Sequence, residues 1–135
     1  MSDMNTQTEA GWSNEDLARI GRAEELQLAS RRSDGSLRPW VTVWVVRVRD
    51  DLFVRSAYGQ ENPWYRRATA SGTGRMRAGG VECDVTFATA EDAVQNGVDA
   101  AYHAKYDRYG PRIVGSVTGP DAHAVTVRLE PRTGI

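Results

Sequence analysis

Apolar positions recur along the chain with two periods, and the switches between them mark the elements. Leu17, Ile20 and Ala23 follow Ser13-Asn14-Glu15-Asp16 at helical spacing. Ser13 as cap with Asp16 three residues on predicts a helix that ends near Glu24 or Glu25. Leu26, Leu28 and Ser30 alternate with polar neighbours, which predicts a short strand, and Ser33-Asp34-Gly35 is a turn. Residues 37–48 form the richest β-forming run. It is apolar on both faces in its middle, which predicts a central strand with core on one side and a cover on the other. Arg49-Asp50-Asp51 turns the chain, and residues 52–58 return as the paired strand, ended by Gly59. Asn62-Pro63 opens a helix through Trp64 to Ala70, with proline at the first position where its missing N–H costs nothing.

Gly79-Gly80 sits between Arg75-Met76-Arg77-Ala78 and Val81-Glu82-Cys83-Asp84-Val85. A two-residue turn there pairs Ala78 with Val81, Arg77 with Glu82, Met76 with Cys83 and Arg75 with Asp84. One face is then apolar and the other carries opposite charges, and a slip by one residue would destroy both patterns. Thr89 with Asp92 predicts a further helix with Ala93, Val94, Val98, Ala101, Tyr102 and Tyr106 on its apolar stripe; Gly97 is a point where it divides and Gly110-Pro111 ends it. Residues 112–117 read as a short helical turn, and residues 124–130 alternate as a last strand stopped by Pro131. The sum is an α+β chain of about six mostly antiparallel strands with inserted helices, a barrel or sheet and not a parallel α/β fold.

Composition narrows the chemistry. The 135 residues fit one domain, here 13–135 after a loose polar tail at 1–12. The formal net charge is −1, which gives no global attraction to nucleic acid or anionic membrane. No apolar run approaches the length of a membrane helix, and the amino terminus lacks a signal pattern, so a cytoplasmic location is expected. Cys83 is the only cysteine and His103 and His123 lie far apart, so neither a disulfide nor a metal site is expected. Lys105 is the only lysine among seventeen basic residues; the rest are arginines, whose planar fork suits phosphate and carboxylate.

The stretch Gly59-Gln60-Glu61-Asn62-Pro63-Trp64-Tyr65-Arg66-Arg67 concentrates candidate chemistry. A helix start offers N–H groups and a positive dipole end to an anion. Arg55 on the strand before it, and Arg66 and Arg67 on its first turn, bring guanidiniums towards that point. Ser56, Tyr58 and Gly59 lie between. Trp44, Tyr58, Trp64 and Tyr65 offer rings for stacking, and Thr42 a hydroxyl for ring edges. Each feature has a plainer reading: Trp44 and Trp64 as core, Arg66 and Arg67 as a solvated helix face, and Arg75, Arg77, Glu82 and Asp84 as a solvated sheet face. Tyr102, Lys105, Tyr106 and Tyr109 form a second cluster one helical turn apart, read as packing on the barrel with Lys105 reaching solvent or a ligand. No nucleophile–base set, phosphate-binding glycine loop or carboxylate dyad can be assembled, so no catalytic residue is assigned. Redox chemistry would belong to a bound cofactor.

The order of an arginine before a strand, "VTVWVVRVRDDLFVRSAYG" and then "NPWYRR", resembles the split β-barrel superfamily of pyridoxamine 5'-phosphate oxidase-like proteins, in particular its deazaflavin-dependent nitroreductases. With "RRSDGSLRP", "GRMRAGGVECDVTF" and "AAYHAKYDRYG", the chain is most similar to a family of small bacterial proteins of unknown function in that superfamily, over residues 12–131. The resemblance implies a homodimer with FMN or deazaflavin sites at the interface, an approach of Arg38 to the cofactor, and hydride transfer to a small quinone-like or nitro-like acceptor. The loop before "PWY" is short, and Tyr58 stands where a basic residue is usual. Those departures favour the alternative of a non-catalytic module that binds a small phosphorylated ligand or no cofactor.

Overall fold

The computed structural model describes residues 11–132. Helix α1 (Asn14–Arg22) precedes strands β1 (Leu26–Ser30), β2 (Val41–Val43), β3 (Val46–Val48) and β4 (Asp51–Arg55). Helix α2 (Pro63–Ser71), the hairpin β5 (Thr73–Ala78) and β6 (Val81–Thr89), helix α3 (Gln95–Tyr106), the short helices α4 (Pro111–Gly115) and α5 (Pro120–His123), and β7 (Thr126–Pro131) follow. All strands are antiparallel in one seven-stranded sheet of order β2-β1-β5-β6-β7-β4-β3. The count is one more than expected because the run 37–48 yields two strands.

That division corrects the expectation of a central strand. Val41–Val43 pairs with β1 at one end of the sheet and Val46–Val48 pairs with β4 at the other. Only Trp44 and Val45 separate the two ends in sequence, so the sheet must roll on itself. The apolar coat on both faces arises at this bend: Val45 turns into the barrel and Val46 turns out beneath α3.

The barrel interior holds Leu26, Leu28, Val45, Leu52, Val54, Met76, Val85, Phe87, Val127 and Leu129, with Leu17 and Ile20 of α1 and Trp64 and Ala68 of α2 closing it. Each fully buried aliphatic side chain contributes about 1.5–3 kcal/mol. The opposite face of β3 and β4 carries Val46 and Phe53, covered by Val98, Tyr102 and Tyr106 of α3. The period of two along residues 52–55 thus sends Leu52 and Val54 inward, Phe53 and Arg55 outward.

Helix α1 starts as its cap predicts, with Ser13 Oγ accepting from the Asp16 N–H at 3.1 Å, and ends at Arg22, slightly before the expected point. The glycine hairpin has the predicted register from Ala78↔Val81 to Arg75↔Asp84. Its charges pair differently: Arg75 takes both Glu82 (2.9 Å) and Asp84 (2.8 Å), while Arg77 bonds Gln27 and lies 4.1 Å over the Trp40 ring. Thr89 does not start a helix. It ends β6, and a 3-10 turn over Asp92–Val94 leads into α3, which runs through Gly97 undivided. Pro131 still pairs with Val85. Residues 1–10 of the predicted tail lie outside the described residues; Trp12 is anchored, its Nε1 donating to Leu129 O at 3.0 Å.

Gly74 shows how tightly β1, β5 and β6 meet. A Cβ there would sit 2.3 Å from Ala29 O and 2.8 Å from the Phe87 ring. Gly74→Ala should therefore cost about 1–3 kcal/mol or more in urea unfolding. Gly80→Ala meets no atom and should lose only about 1 kcal/mol, from its left-handed backbone. Equal costs would contradict the packing described.

Candidate functional site

Two segments distant in sequence face each other across an open cleft. The β1–β2 connection is shaped by Asp34, whose carboxylate accepts from the Ser36 N–H (2.9 Å) and hydroxyl (2.7 Å), and by Gly35 at φ 90°. This turn sets Arg31 and Arg32 on one side and Arg38 just beyond. Across from it, α2 shows Pro63, Arg66, Arg67 and Ala70, one helical face by spacing, while Trp64 and Ala68 point into the barrel. Between them lies an open cleft of about 820 Å³ lined by these residues with Ser33, Gly35, Ser71 and Thr73.

Among the described residues, five arginines and no carboxylate line this cleft. Arg31 is fixed by Gly35 O and Asp84, both at 2.9 Å. Arg32 is fixed by Leu37 O at 2.9 Å and Ser36 Oγ at 3.3 Å. Arg66 has only a solvent-exposed Glu61 at 3.7 Å, a pairing worth little. Arg38 and Arg67 have no carboxylate within 4.0 Å among the described residues. The result is a concave positive surface with two preset forks and three adaptable ones. Its natural complement is an anion with several oxygens.

A family model described as uncharacterized protein conserved in bacteria, DUF2255, matches residues 16–129. The chain belongs to the DUF2255 family. No curated protein matches the chain. Among solved structures it is similar to HutZ, the heme storage protein from Vibrio cholerae, at 16% identity and TM-score 0.59, with 92% of each chain covered. It is also similar to an FAD-binding protein from Mesorhizobium loti at 13% identity and TM-score 0.56, covering 90% of this chain and 91% of that one. An F420 reductase aligns at 18% identity and TM-score 0.50, covering 85% and 90%. These likenesses establish the fold: the DUF2255 chain is a split β-barrel with inserted helices.

Of the residues singled out in the sequence, Arg38, Arg66 and Arg67 meet in the cleft of this DUF2255 chain. Sequence reasoning overlooks Arg31 and Arg32 as ligands, although an arginine pair directly before a Ser-Asp-Gly turn is a visible signal. The others lie elsewhere. Trp64 is buried in the barrel. Tyr65 packs edge-on against it at 6.0 Å and donates to Ala124 O at 3.3 Å. Thr42 is exposed on an edge strand beside Gln27. Ser56, Tyr58 and Gly59 make the turn before α2, with Ser56 Oγ donating to Gly59 O at 2.6 Å. Tyr58 adopts φ 64° and is 79% exposed. The helix opening is poorer in free amides than expected, because Pro63 has no N–H and the Tyr65 N–H already bonds Asn62 O. Trp44 stacks on Tyr106 at 4.0 Å, outside the barrel.

Arg55 serves a different role from the anion contact suggested by its neighbours in sequence. Its side chain is fully buried on the α3 side. Nε donates to Thr126 Oγ1 (2.8 Å), Nη1 to Asp99 Oδ1 (2.5 Å) and Val117 O (2.8 Å), and Nη2 to Gln95 Oε1 (2.8 Å) and Gln95 O (3.3 Å). Every donor is used. Asp99 also takes Gly119 N–H at 3.3 Å and pairs with His123 Nε2 at 3.0 Å. Burial alone would raise the Asp99 carboxyl, but the hydrogen bonds from His123 and Arg55, with the Arg55 charge, outweigh it and hold it below its ordinary value.

The Tyr102–Tyr109 segment is built into the barrel bend. Tyr106 hydroxyl accepts from Val45 N–H at 3.2 Å and lies 2.8 Å from Glu24 O. Lys105, half-buried, donates to Val45 O at 2.7 Å, and burial lowers its ammonium to about 8. Burial pushes the Cys83 thiol up to about 11, which makes it a poor nucleophile.

The buried groups make the fold's stability respond to substitution and to pH. Arg55→Met strands Asp99, and should cost about 3–5 kcal/mol in urea unfolding at neutral pH. The Asp99 contribution is present above the unfolded value of 3.8 and is lost as pH falls through the lower folded value. The deficit of Arg55→Met should therefore shrink on acidification; a constant deficit would exclude the ion pair as its cause. For Lys105, the unfolded chain holds more protons between about 8 and 10.5, so stability rises with pH across that window. The ¹³Cε resonance of this single lysine should titrate near 8; a midpoint near 10.5 would show an ammonium left in water.

Proposed function

We propose that this chain holds a phosphorylated flavin-type cofactor, FMN or a deazaflavin, by its anionic end in the arginine cleft, and acts as an oxidoreductase towards a small quinone-like or nitro-like acceptor. The observation that carries the reading is five guanidiniums around one hollow with no carboxylate among the described residues of its lining. The similar structures whose names specify FAD binding or F420 reductase activity support the choice of cofactor class. Arg31 and Arg32 would set the anion's place, and Arg38, Arg66 and Arg67 would close on it. The cofactor supplies the hydride chemistry; the chain supplies orientation and positive charge.

The donor set fits the anionic end and not the ring. No aromatic side chain lines the cleft. A homodimer in which a second copy roofs the ring supplies the missing wall, and the exposed Tyr58 is the side chain free to provide it. The same lack of a ring platform favours a second reading, a module that binds a phosphorylated ligand without redox work.

Titration of the full chain with FMN, riboflavin, a deazaflavin and pyrophosphate, followed by tryptophan fluorescence, separates these. FMN or the deazaflavin should quench saturably below roughly 50 µM. Arg66→Ala and Arg67→Ala should each weaken FMN about ten- to a hundredfold, the equivalent of about 1.5–3 kcal/mol for one charge-assisted hydrogen bond removed, and leave riboflavin unchanged. Pyrophosphate binding without any flavin binding would select the second reading. Equal weakening of FMN and riboflavin would remove the phosphate assignment.

A further inference from the structure

The other face of α2 borders a second hollow of opposite character. It encloses about 190 Å³ between α2, β6, the start of β7 and the residues joining α5 to it. Tyr65, Phe87 and Val127 give it apolar walls, Asp92 lies at its exposed side, and Thr126 and His123 bring polar atoms. No arginine or lysine lines it, so nothing draws an anion there. The volume matches one ring with small substituents, since an apolar cavity of about 150 Å³ accepts benzene.

The polar atoms are largely committed. Thr126 Oγ1 accepts from Arg55 and donates towards the Gln95 and Ala122 oxygens. Tyr65 hydroxyl donates to Ala124 O. His123 is different. Its Nε2 faces the ionised Asp99 at 3.0 Å, which places the proton on Nε2 in the neutral ring. Asp99 is itself clamped by the buried Arg55. In that tautomer Nδ1 is an acceptor, with no partner among the described residues. A carboxylate-oriented imidazole on a narrow, ring-sized hollow without a cation is the arrangement that recognises a hydroxyl donor on a planar apolar body.

We propose that this hollow is a second ligand site, separate from the arginine cleft, for a small neutral phenol whose hydroxyl donates to His123 Nδ1 and whose ring is enclosed by Tyr65, Phe87 and Val127. The site stands independently of the cleft's cofactor.

The test uses ¹H–¹⁵N NMR of the full chain with p-cresol, p-toluate and inorganic phosphate as separate probes. p-Cresol should give saturable shifts at Thr126, Val127 and the His123 ring, and ¹⁵N shifts of that ring should report the Nε2–H form before binding. p-Toluate should fail to produce these shifts. His123→Phe, which keeps a ring but removes the acceptor, should weaken p-cresol about tenfold. Ala88→Leu, which narrows the hollow from β6, should abolish binding while the spectrum stays dispersed. If p-cresol binds equally to His123→Phe, or p-toluate competes equally, or no saturable shift occurs at this hollow in the native chain, the proposal is overturned. Phosphate should perturb only the β1–β2 connection and α2, so failure of the cleft is read separately from failure of this site.

Discussion

The guanidinium of Arg55 is the group on which the arrangement turns. It leaves β4 on the outer face and ties that strand to β7 through Thr126, to α3 through Gln95 and Asp99, and to the α4–α5 connection through Val117. A charge this deep is costly unless every donor is met, and here every donor is. The requirement is stringent. It ties α3 to the sheet, and with His123 it holds the Asp99 carboxyl below its ordinary value where burial alone would raise it. Asp99 then orients His123. One buried cation therefore determines both how the outer layer packs and what hydrogen-bonding character the small hollow presents.

The second constraint is the bend at Trp44 and Val45. It brings both ends of the sheet within one extended run, and the backbone groups of Val45 bond the side chains of Lys105 and Tyr106. Tyr106 is held there by stacking on Trp44. The aromatic and cationic residues of this segment are thus consumed in closing the barrel. Interleaved rings and bases on a helix suggest ligand binding when read alone; here they replace the ladder that a bend interrupts.

Legibility in the sequence follows the range of the interactions. The α1 cap, the β1 alternation and the Gly79-Gly80 hairpin rest on residues within a few positions of one another, and they are readable with their registers. The run 37–48 is readable as β structure but not as two strands, because an apolar coat on both faces is shared by a central strand and by one that changes side at a bend. Thr89 and Asp92 imitate a helix start, yet β6 continues to Thr89 through pairing with β7, which local pattern does not contain. Arg55 shows the limit most clearly. Its partners lie 40, 44, 62 and 71 residues away, and only they distinguish a structural ion from a ligand contact. Arg38, Arg66 and Arg67 are legible as cleft residues because, among the described residues, the only carboxylate within ion-pair distance of any of them is the exposed Glu61 beside Arg66. Arg31 and Arg32 are visible as an arginine pair before a turn, but placing them in the cleft requires knowing that the β1–β2 turn faces α2.

Helix α2 separates two chemistries by its own periodicity. Positions 66, 67 and 70 face the arginine cleft, 64 and 68 the barrel, and 65 and 69 the small hollow. Like charges gathered at the first of these faces repel one another, an effect that salt screens beyond a Debye length of about 10 Å. Solvent exposure keeps that cost modest, and an anion with several oxygens would reverse its sign. The hollow on the third face gathers no like charges: Asp92 stands at its exposed side, and the Asp99 that orients His123 is paired beneath the surface. A single nine-residue helix thereby gives the barrel one site governed by charge and another governed by shape and a single oriented acceptor, and a substitution confined to one face leaves the other face's chemistry intact.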